Sequence, residues 1–163
     1  MEGFVRAASA EDCHAVHEMI VELAVYEKCP DAVKTTATQL QLDMADSCFK
    51  IFVYEELGGQ VVAFIMCFPR YSTWTGRCLY IEDCFVRPEF RKRGIGRQLF
   101  GAVISEARRT GVGRLEWVCL DWNRDALAFY QKLGAESDSS WVNLKLTREA
   151  MASMEWADSI VRE

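Results

Sequence analysis

The spacing of apolar and polar positions predicts short strands and helices that alternate along the first half of the chain. Apolar residues recur at helical spacing in the first amphipathic segment, and Gly58-Gly59 is typical of a tight hairpin turn. The predicted elements are a strand over Gly3 to Ala8, a helix with apolar positions Cys13, Val16, Ile20 and Leu23, a helix from Thr36 or Ala37 to Ala45, and strands Lys50 to Tyr54 and Gln60 to Phe68.

The second half begins with a long apolar segment, Arg77 to Val86, whose length predicts a strand at the centre of the sheet. The elements around it are a loop over Pro69 to Gly76, a helix over Arg97 to Arg109, a strand over Leu115 to Leu120, a helix capped by Asn123 and ended by Gly134, a strand over Trp141 to Leu146, and a tail helix from about Thr147 to Ile160. The order β-α-α-β-β-β-α-β-α-β predicts one α/β domain over residues 1–163, with a mixed central sheet flanked by helices.

The bulk composition narrows the function classes. The chain has 163 residues, 50% of them hydrophobic, which is enough for one domain with its own core. Its formal net charge of −5 opposes general nucleic-acid affinity and favours a cationic partner. No apolar stretch approaches the roughly 20 residues that span a bilayer, and the N-terminus lacks the apolar region of a signal peptide. We therefore expect a soluble cytoplasmic protein without a nucleic-acid or membrane partner.

The spacing of the cysteines and histidines does not indicate a metal-binding site. The seven cysteines form no C-x-x-C pair, so we expect reduced, mainly buried thiols and no metal site. His14 and His17 lie three residues apart on the first predicted helix, a spacing more typical of a helix face than of a catalytic pair.

Residues 91–96, Arg-Lys-Arg-Gly-Ile-Gly, lie between the long strand and an amphipathic helix. Gly94 and Gly96 allow positive φ and close backbone approach, and the helix N-terminus adds about half a positive charge. The segment thus predicts a cradle for a pyrophosphate, although its spacing fits neither a Walker motif nor G-x-G-x-x-G. The alternative is a glycine-rich turn with a solvated basic cluster.

The pattern Arg91-x-x-Gly94-x-Gly96 between a strand and a helix resembles the acetyl-coenzyme A signature of the GNAT acetyltransferase superfamily. The blocks Leu79 to Asp83 and Phe129 to Ala135 are similar to the spermidine/spermine acetyltransferase branch. Within that branch, Tyr71-Ser72-Thr73-Trp74 and Leu120-Asp121-Trp122-Asn123 are most similar to the thialysine Nε-acetyltransferases. The resemblance covers the whole chain and implies a GNAT fold, acetyl-CoA as cosubstrate, a small-molecule amine as acceptor, and a homodimer.

The resemblance also implies which residues hold acetyl-CoA. Backbone amides of the cradle would bind the pyrophosphate, the end of the long strand would meet pantetheine, and the helix beginning at Asn123 would contribute further contacts. The implied cofactor-binding residues are Phe85, Val86, Arg91, Lys92, Arg93, Gly94, Ile95, Gly96, Asn123 and Tyr130. From the residues alone, Asn123 is equally consistent with a plain helix N-cap.

An amine that attacks a thioester must first lose a proton. With a pKa near 10.4, about one alkylamine molecule in 2,500 is neutral at pH 7, a deficit of about 4–5 kcal/mol. Glu82 is the candidate proton acceptor, and strand alternation places Asp83 on the opposite face. Tyr130, seven residues after Asn123 and on the same helix face, is the candidate proton donor to the departing thiolate. The rival mechanism is an acyl-enzyme on Cys84 or Cys119.

The acceptor pocket is predicted from acids and aromatic residues. Glu27, Glu82 and Asp83 are candidate ammonium partners, and Tyr26 and Trp74 are candidate aromatic walls. The segments around Ser72-Thr73 and Ser139-Ser140 are neutral where polyamine-selective relatives carry acids, which favours a lysine-like amino acid such as thialysine. A polyamine acetyltransferase is the alternative enzyme. A non-catalytic CoA-binding module and a protein acetyltransferase are the alternatives from other classes.

Overall fold

Five strands form one mixed sheet. In this computed structural model, which describes residues 3–154, the strands are β1 (Phe4–Ala7), β2 (Lys50–Glu55), β3 (Val61–Ser72), β4 (Gly76–Val86) and β5 (Arg114–Glu116). They lie in the order β1-β2-β3-β4-β5, with antiparallel neighbours except for the parallel pair β4 and β5. The predicted mixed sheet is confirmed, but the central strand of the five is β3, and the long apolar strand β4 lies next to the edge strand β5.

Five helices accompany the sheet in the described part of the chain. They are α1 (Cys13–Tyr26), α2 (Ala37–Ala45), α3 (Ile95–Thr110), α4 (Arg124–Lys132) and α5 (Arg148–Ala152). Three of them, α2, α4 and α5, begin at a capping side chain. The Thr36 hydroxyl accepts a hydrogen bond from the Gln39 N–H, and Thr147 does the same for Ala150. Contacts divide the chain into two compact units, Met1–Val118 and Cys119–Glu163.

The core of the first unit lies between the sheet and its helices. Val16 and Met19 of α1 pack with Phe64 and Met66 of β3 on one face. Because side chains alternate along a strand, the neighbouring Cys67 lies on the opposite face. Burial there, followed by the charge of Glu106 in α3, raises the pKa of its thiol. The predicted arrangement of a sheet flanked by helices is confirmed. Among residues 3–154, no helix combines the length and apolar character needed to cross a membrane.

The loop predicted over Pro69 to Gly76 is wrong, because β3 continues to Ser72 and only a short turn remains. Its pairing with β4 runs through Pro69↔Leu79 to Ser72↔Gly76. Proline removes only its own N–H from the ladder, so the neighbouring residues still pair. The result is a long β3–β4 hairpin.

Three elements near the C-terminal end are shorter than predicted. β5 ends at Glu116 rather than Leu120, and Trp141 to Leu146 form no strand although the alternation there suits one. A strand forms only where a second backbone pairs with it. This segment is instead left at the surface, where Leu144 is 92% exposed. The tail helix predicted to run to Ile160 ends at Ala152, and residues 155–160 lie outside the described residues.

Candidate active site

A β-bulge in the middle of β4 shapes the candidate site. Asp83 is paired with Met66 and Ile81 with Cys67, so Glu82 is the extra residue in β4. Tyr80 is paired with Phe68, which shares a strand face with Met66. The side chains of Tyr80 and Asp83 therefore lie on one face of the sheet although three residues separate them.

The bulge interrupts the strand alternation from which Asp83 was predicted to lie on the face opposite Glu82. Burial raises the pKa of the Asp83 carboxyl to about 6, and the charges of Glu82 and Glu27 add to that rise. Glu27 is the residue that follows α1, where its N–H donates to the Leu23 carbonyl oxygen at 2.8 Å. Burial also raises the pKa of Glu27. The C-terminus of α1 and the bulge thus bring together the three acids predicted for the acceptor pocket.

The sheet opens beside this carboxylate cluster, which we define as Glu27, Glu82 and Asp83. β5 pairs with β4 only from Cys78↔Arg114 to Tyr80↔Glu116, whereas β4 runs on to Val86. Within the described sheet, the edge of β4 after the bulge has no β5 neighbour. The backbone groups of β4 that do not face β3 lie on this edge, where an extended ligand could pair with them, and the chain continues from there through a short turn to residues 91–96.

The backbone of residues 91–96 forms a cradle with two left-handed residues. Lys92 has φ 61° and Gly94 has φ 79°. A Cβ placed on Gly94 would meet nothing within 4 Å, so the space above it is open. The first helical hydrogen bond of α3 runs from the Gln98 N–H to the Gly94 carbonyl oxygen at 3.2 Å. The N–H groups before Gln98 therefore have no acceptor within the helix. Open space and convergent donors fit a pyrophosphate.

One detail of the predicted cradle is wrong. Gly96 lies in the first turn of α3 and has no positive φ, so the second left-handed position is Lys92. Lysine adopts this conformation less readily than glycine, because its Cβ is crowded there. The left-handed conformation of Lys92 could therefore not be predicted from its residue type.

The basic side chains of the cradle are held against the protein. Arg91 Nε donates to the Val86 carbonyl oxygen at 2.9 Å, and its guanidinium lies 4.9 Å from the ring centroid of Tyr26 and 5.5 Å from that of Phe85. Arg93 donates to the Glu89 carbonyl oxygen at 2.9 Å. The contact between Arg91 and Tyr26 joins the cradle to α1, and no local pattern could have predicted it across this separation.

Trp74, the predicted aromatic wall, lies in the turn of the β3–β4 hairpin and is 79% exposed. The Ser72 hydroxyl accepts hydrogen bonds from the N–H groups of Trp74 and Thr75, each at 3.2 Å. Ser72 therefore shapes the turn. The carboxylate cluster lies further along β4, at the bulge.

The second unit carries the other two predicted site residues. The Asn123 side chain accepts a hydrogen bond from the Ala126 N–H at 3.3 Å, which confirms its role as the N-cap of α4. Tyr130 lies on the same helix, and its ring centroid is 5.5 Å from that of Phe129. Two helical turns separate Asn123 from Tyr130, so both lie on one side of α4.

The residues of the rival chemistries have environments that disfavour them. Burial, followed by the charge of Asp83, raises the pKa of the Cys84 thiol to about 12, which suppresses the nucleophilic thiolate. His17 Nε2 lies 2.8 Å from the Thr35 carbonyl oxygen, and His14 forms an exposed ion pair with Glu18 at 3.4 Å. Among residues 3–154, no group of three or more His, Cys, Asp or Glu side chains is arranged to hold a metal.

Comparison with protein families identifies the class of this site. The model of the acetyltransferase (GNAT) family matches residues 13–135. The chain belongs to the GNAT acetyltransferase family. Acetyltransferases of this family use acetyl-CoA as the acetyl donor. The predictions of the GNAT fold and of an acetyl-CoA-dependent N-acetyltransferase are confirmed.

Curated relatives cover most of the chain. It is 40% identical to a thialysine N-epsilon-acetyltransferase of Caenorhabditis elegans over 69% of each chain. It is 35% identical to a protein of the same name from Sus scrofa over 92% of this chain and 95% of the relative. An L-ornithine N5-acetyltransferase of Arabidopsis thaliana is 35% identical over 72% of this chain and 52% of its own length. The resemblance stated from sequence motifs is thereby confirmed.

A solved structure supports the fold. An aminoglycoside acetyltransferase from an uncultured soil metagenomic sample superimposes with a TM-score of 0.74 at 17% identity, covering 88% of this chain and 94% of that one. At this identity the likeness supports the fold and carries no information on substrate.

Proposed function

We propose that the chain transfers the acetyl group of acetyl-CoA to the side-chain amine of thialysine or a related lysine-like amino acid. The observation that carries this proposal is the carboxylate cluster at the bulge of β4, beside the open edge of that strand. An acidic pocket attracts a cationic amine, and the open edge offers backbone groups to an extended cosubstrate. Two curated relatives named for thialysine support the choice of acceptor.

The cradle supports a specific placement of the cosubstrate. The backbone of residues 91–96 would hold the pyrophosphate, and Phe85 and Val86 would lie along pantetheine. Arg91 keeps the cradle in place through the Val86 carbonyl oxygen. Asn123 and Tyr130 of α4 are the further residues proposed to bind the cofactor. When bound, acetyl-CoA supplies the activated acetyl group.

The proton that the acceptor must lose goes to the carboxylate cluster. Glu82 is the proposed base, acting directly or through water, and Asp83 and Glu27 hold the ammonium beside it. The Asp83 carboxyl, with a pKa of about 6, is mostly ionised at pH 7 and can therefore hold the ammonium. Tyr130 is the proposed acid and holds its proton at the phenol oxygen. The high pKa of Cys84 favours transfer to the amine without an acyl-enzyme.

The testing experiment compares acceptors under one set of conditions. Thiol release with acetyl-CoA is followed for thialysine, lysine, spermidine and spermine, and the products are identified by mass spectrometry. We expect the highest kcat/KM for thialysine, because this ratio compares transition-state binding between acceptors. Glu82→Gln should reduce turnover with every acceptor. A preference for either polyamine would replace the acceptor assignment by the alternative, and CoA binding without turnover would indicate the non-catalytic module.

The subunit arrangement and compartment belong to the same proposal. We propose a cytoplasmic homodimer, for which the seven free cysteines and the exposed aromatic residues of the β3–β4 hairpin are the supporting features. Tyr71 and Trp74 are both mostly exposed there. Analytical ultracentrifugation of the full chain tests the oligomeric state, and a monomer at micromolar concentration would overturn the dimer.

A further inference from the structure

A surplus positive charge lies on the sheet next to the carboxylate cluster. Glu116 forms a close ion pair with Arg114, in which Nη2 lies 2.7 Å from Oε1. Arg70 Nη1 lies 3.4 Å from the other oxygen of Glu116, which accepts no hydrogen bond there. Two guanidinium groups thus share one carboxylate. Arg70 has the longer contact, and its side chain is 54% exposed.

Tyr80 connects this surplus charge to the carboxylate cluster. The guanidinium carbon of Arg70 lies 5.4 Å from the centroid of the Tyr80 ring. Burial raises the pKa of the same phenol most, the charges of Glu82, Glu116 and Asp83 add to that rise, and the charge of Arg70 lowers it. Tyr80 is therefore close to groups of both signs, with the positive group towards the hairpin and the negative groups at the bulge.

The strand register places Tyr80 between the two charges. Phe68 and Met66, the partners of Tyr80 and Asp83, are two residues apart on β3, which corresponds to about 7 Å of strand. Arg70 is two residues further along β3, on the same face, and its side chain reaches back over the Tyr80 ring. A lysine-like amino acid carries a carboxylate at one end and an amine at the other, which matches a positive group on one side of Tyr80 and acids on the other.

We propose that Arg70 binds the α-carboxylate of the acceptor, so that the enzyme selects a zwitterionic amino acid carrying a side-chain amine over a diamine or polyamine. This inference rests on the function proposed above and adds the residue that recognises the non-reacting end of the acceptor. The guanidinium retains donors for a carboxylate, since its contact with Glu116 includes no hydrogen bond to Oε2. The acidic cluster receives the amine, and Arg70 receives the opposite charge.

Matched acceptors isolate the carboxylate. L-Lysine and cadaverine differ only by that group, and L-ornithine and putrescine form a second such pair. For the wild-type enzyme we expect a higher kcat/KM for each amino acid than for its diamine. Arg70→Gln should lower kcat/KM for lysine about tenfold, mainly through KM, and leave cadaverine within about twofold, because a half-exposed charged hydrogen bond is lost from one acceptor only. Arg70→Lys should restore part of the loss.

A charge-matched control variant and the results that would contradict the inference are as follows. Arg77→Gln removes the same charge from an exposed position on β4 and should leave the lysine-to-cadaverine ratio unchanged. An equal loss for both acceptors in the folded Arg70 variants, or a wild-type preference for cadaverine, overturns this inference while the acetyltransferase proposal stands. Absence of acetylation of these four amines and of thialysine by a wild-type protein that binds CoA overturns the proposed function as well.

Discussion

The guanidinium of Arg91 lies 4.9 Å from the ring of Tyr26 while its Nε donates to the Val86 carbonyl oxygen at 2.9 Å. One side chain therefore connects the last residue of α1, the end of β4 and the first residue of the cradle. Glu27, which belongs to the carboxylate cluster, directly follows Tyr26. The position of this acid and the position of the cradle are consequently set by the same contact.

Arg91→Lys tests that connection. Lysine keeps the positive charge but lacks the planar group that stacks and donates at the same time. We expect the Kd for CoA and the KM for the acceptor to rise together, each by about three- to tenfold. Calorimetry and steady-state kinetics measure the two effects, and Tyr26→Phe, which retains the ring, is the control. A change in CoA affinity alone would show that the contact with α1 does not position the acceptor site.

Gly94→Ala tests the cradle. The φ of 79° disfavours alanine by about 1–2 kcal/mol, although its Cβ would meet no atom within 4 Å. The added methyl group would occupy the open space, so we expect CoA affinity to fall at least tenfold with an unchanged circular dichroism spectrum. Gly101→Ala in α3 is the matched control and should leave affinity intact while stabilising the helix by about 0.5–1 kcal/mol. Unchanged CoA affinity in folded Gly94→Ala would remove the pyrophosphate assignment.

Asp83→Asn tests the charged state of the carboxylate cluster. With a carboxyl pKa of about 6, the wild-type kcat/KM should fall as the pH decreases below about 6, because the ammonium then loses a partner. The amide should lower kcat/KM and remove this acidic limb from the profile.

The same substitution should stabilise the fold. A raised carboxyl pKa means that wild-type stability decreases as the pH rises from about 4 to 6, so the neutral amide should increase stability at pH 7.5 by about 1–2 kcal/mol. Thermal unfolding at pH 4.5 and 7.5 measures the difference, which should be clearly larger at the higher pH. Equal effects at both pH values would show that the Asp83 charge is not the cause.

Tyr130→Phe tests the proposed acid. The ring is retained and only the phenol proton is lost, so kcat should fall by about 10²-fold or more with little change in CoA affinity. Phe129 offers a neighbouring aromatic position, and Phe129→Leu is the control for packing of α4. Near wild-type turnover of Tyr130→Phe would leave the transfer without this donor and assign the tyrosine to packing.

Local patterns in the sequence determined much of the molecule. The residues of α1, α2 and α4 repeat at helical spacing beside capping side chains, and Thr36 and Asn123 are caps in the structure. The strand–cradle–helix arrangement of residues 91–96 was likewise predicted correctly, because the φ requirement at Gly94 and the helix start that follows it depend on neighbours along the chain. Structure that depends only on neighbouring residues can be predicted from the sequence for this reason.

The tertiary structure decided what depends on distant partners. The bulge at Glu82 exists only in the register of β4 against β3, and it interrupts the alternation from which the faces of Glu82 and Asp83 were inferred. The same holds for the failed strand at Trp141 to Leu146, whose alternation is suitable but which pairs with no strand in the described structure. The pKa of Asp83 also depends on burial and on Glu27 of another element. Strand pairing, burial and electrostatic interactions act between residues far apart in the chain. The periodicity of the sequence therefore predicted the helices and strands, whereas the packed sheet determined how their charged side chains are arranged.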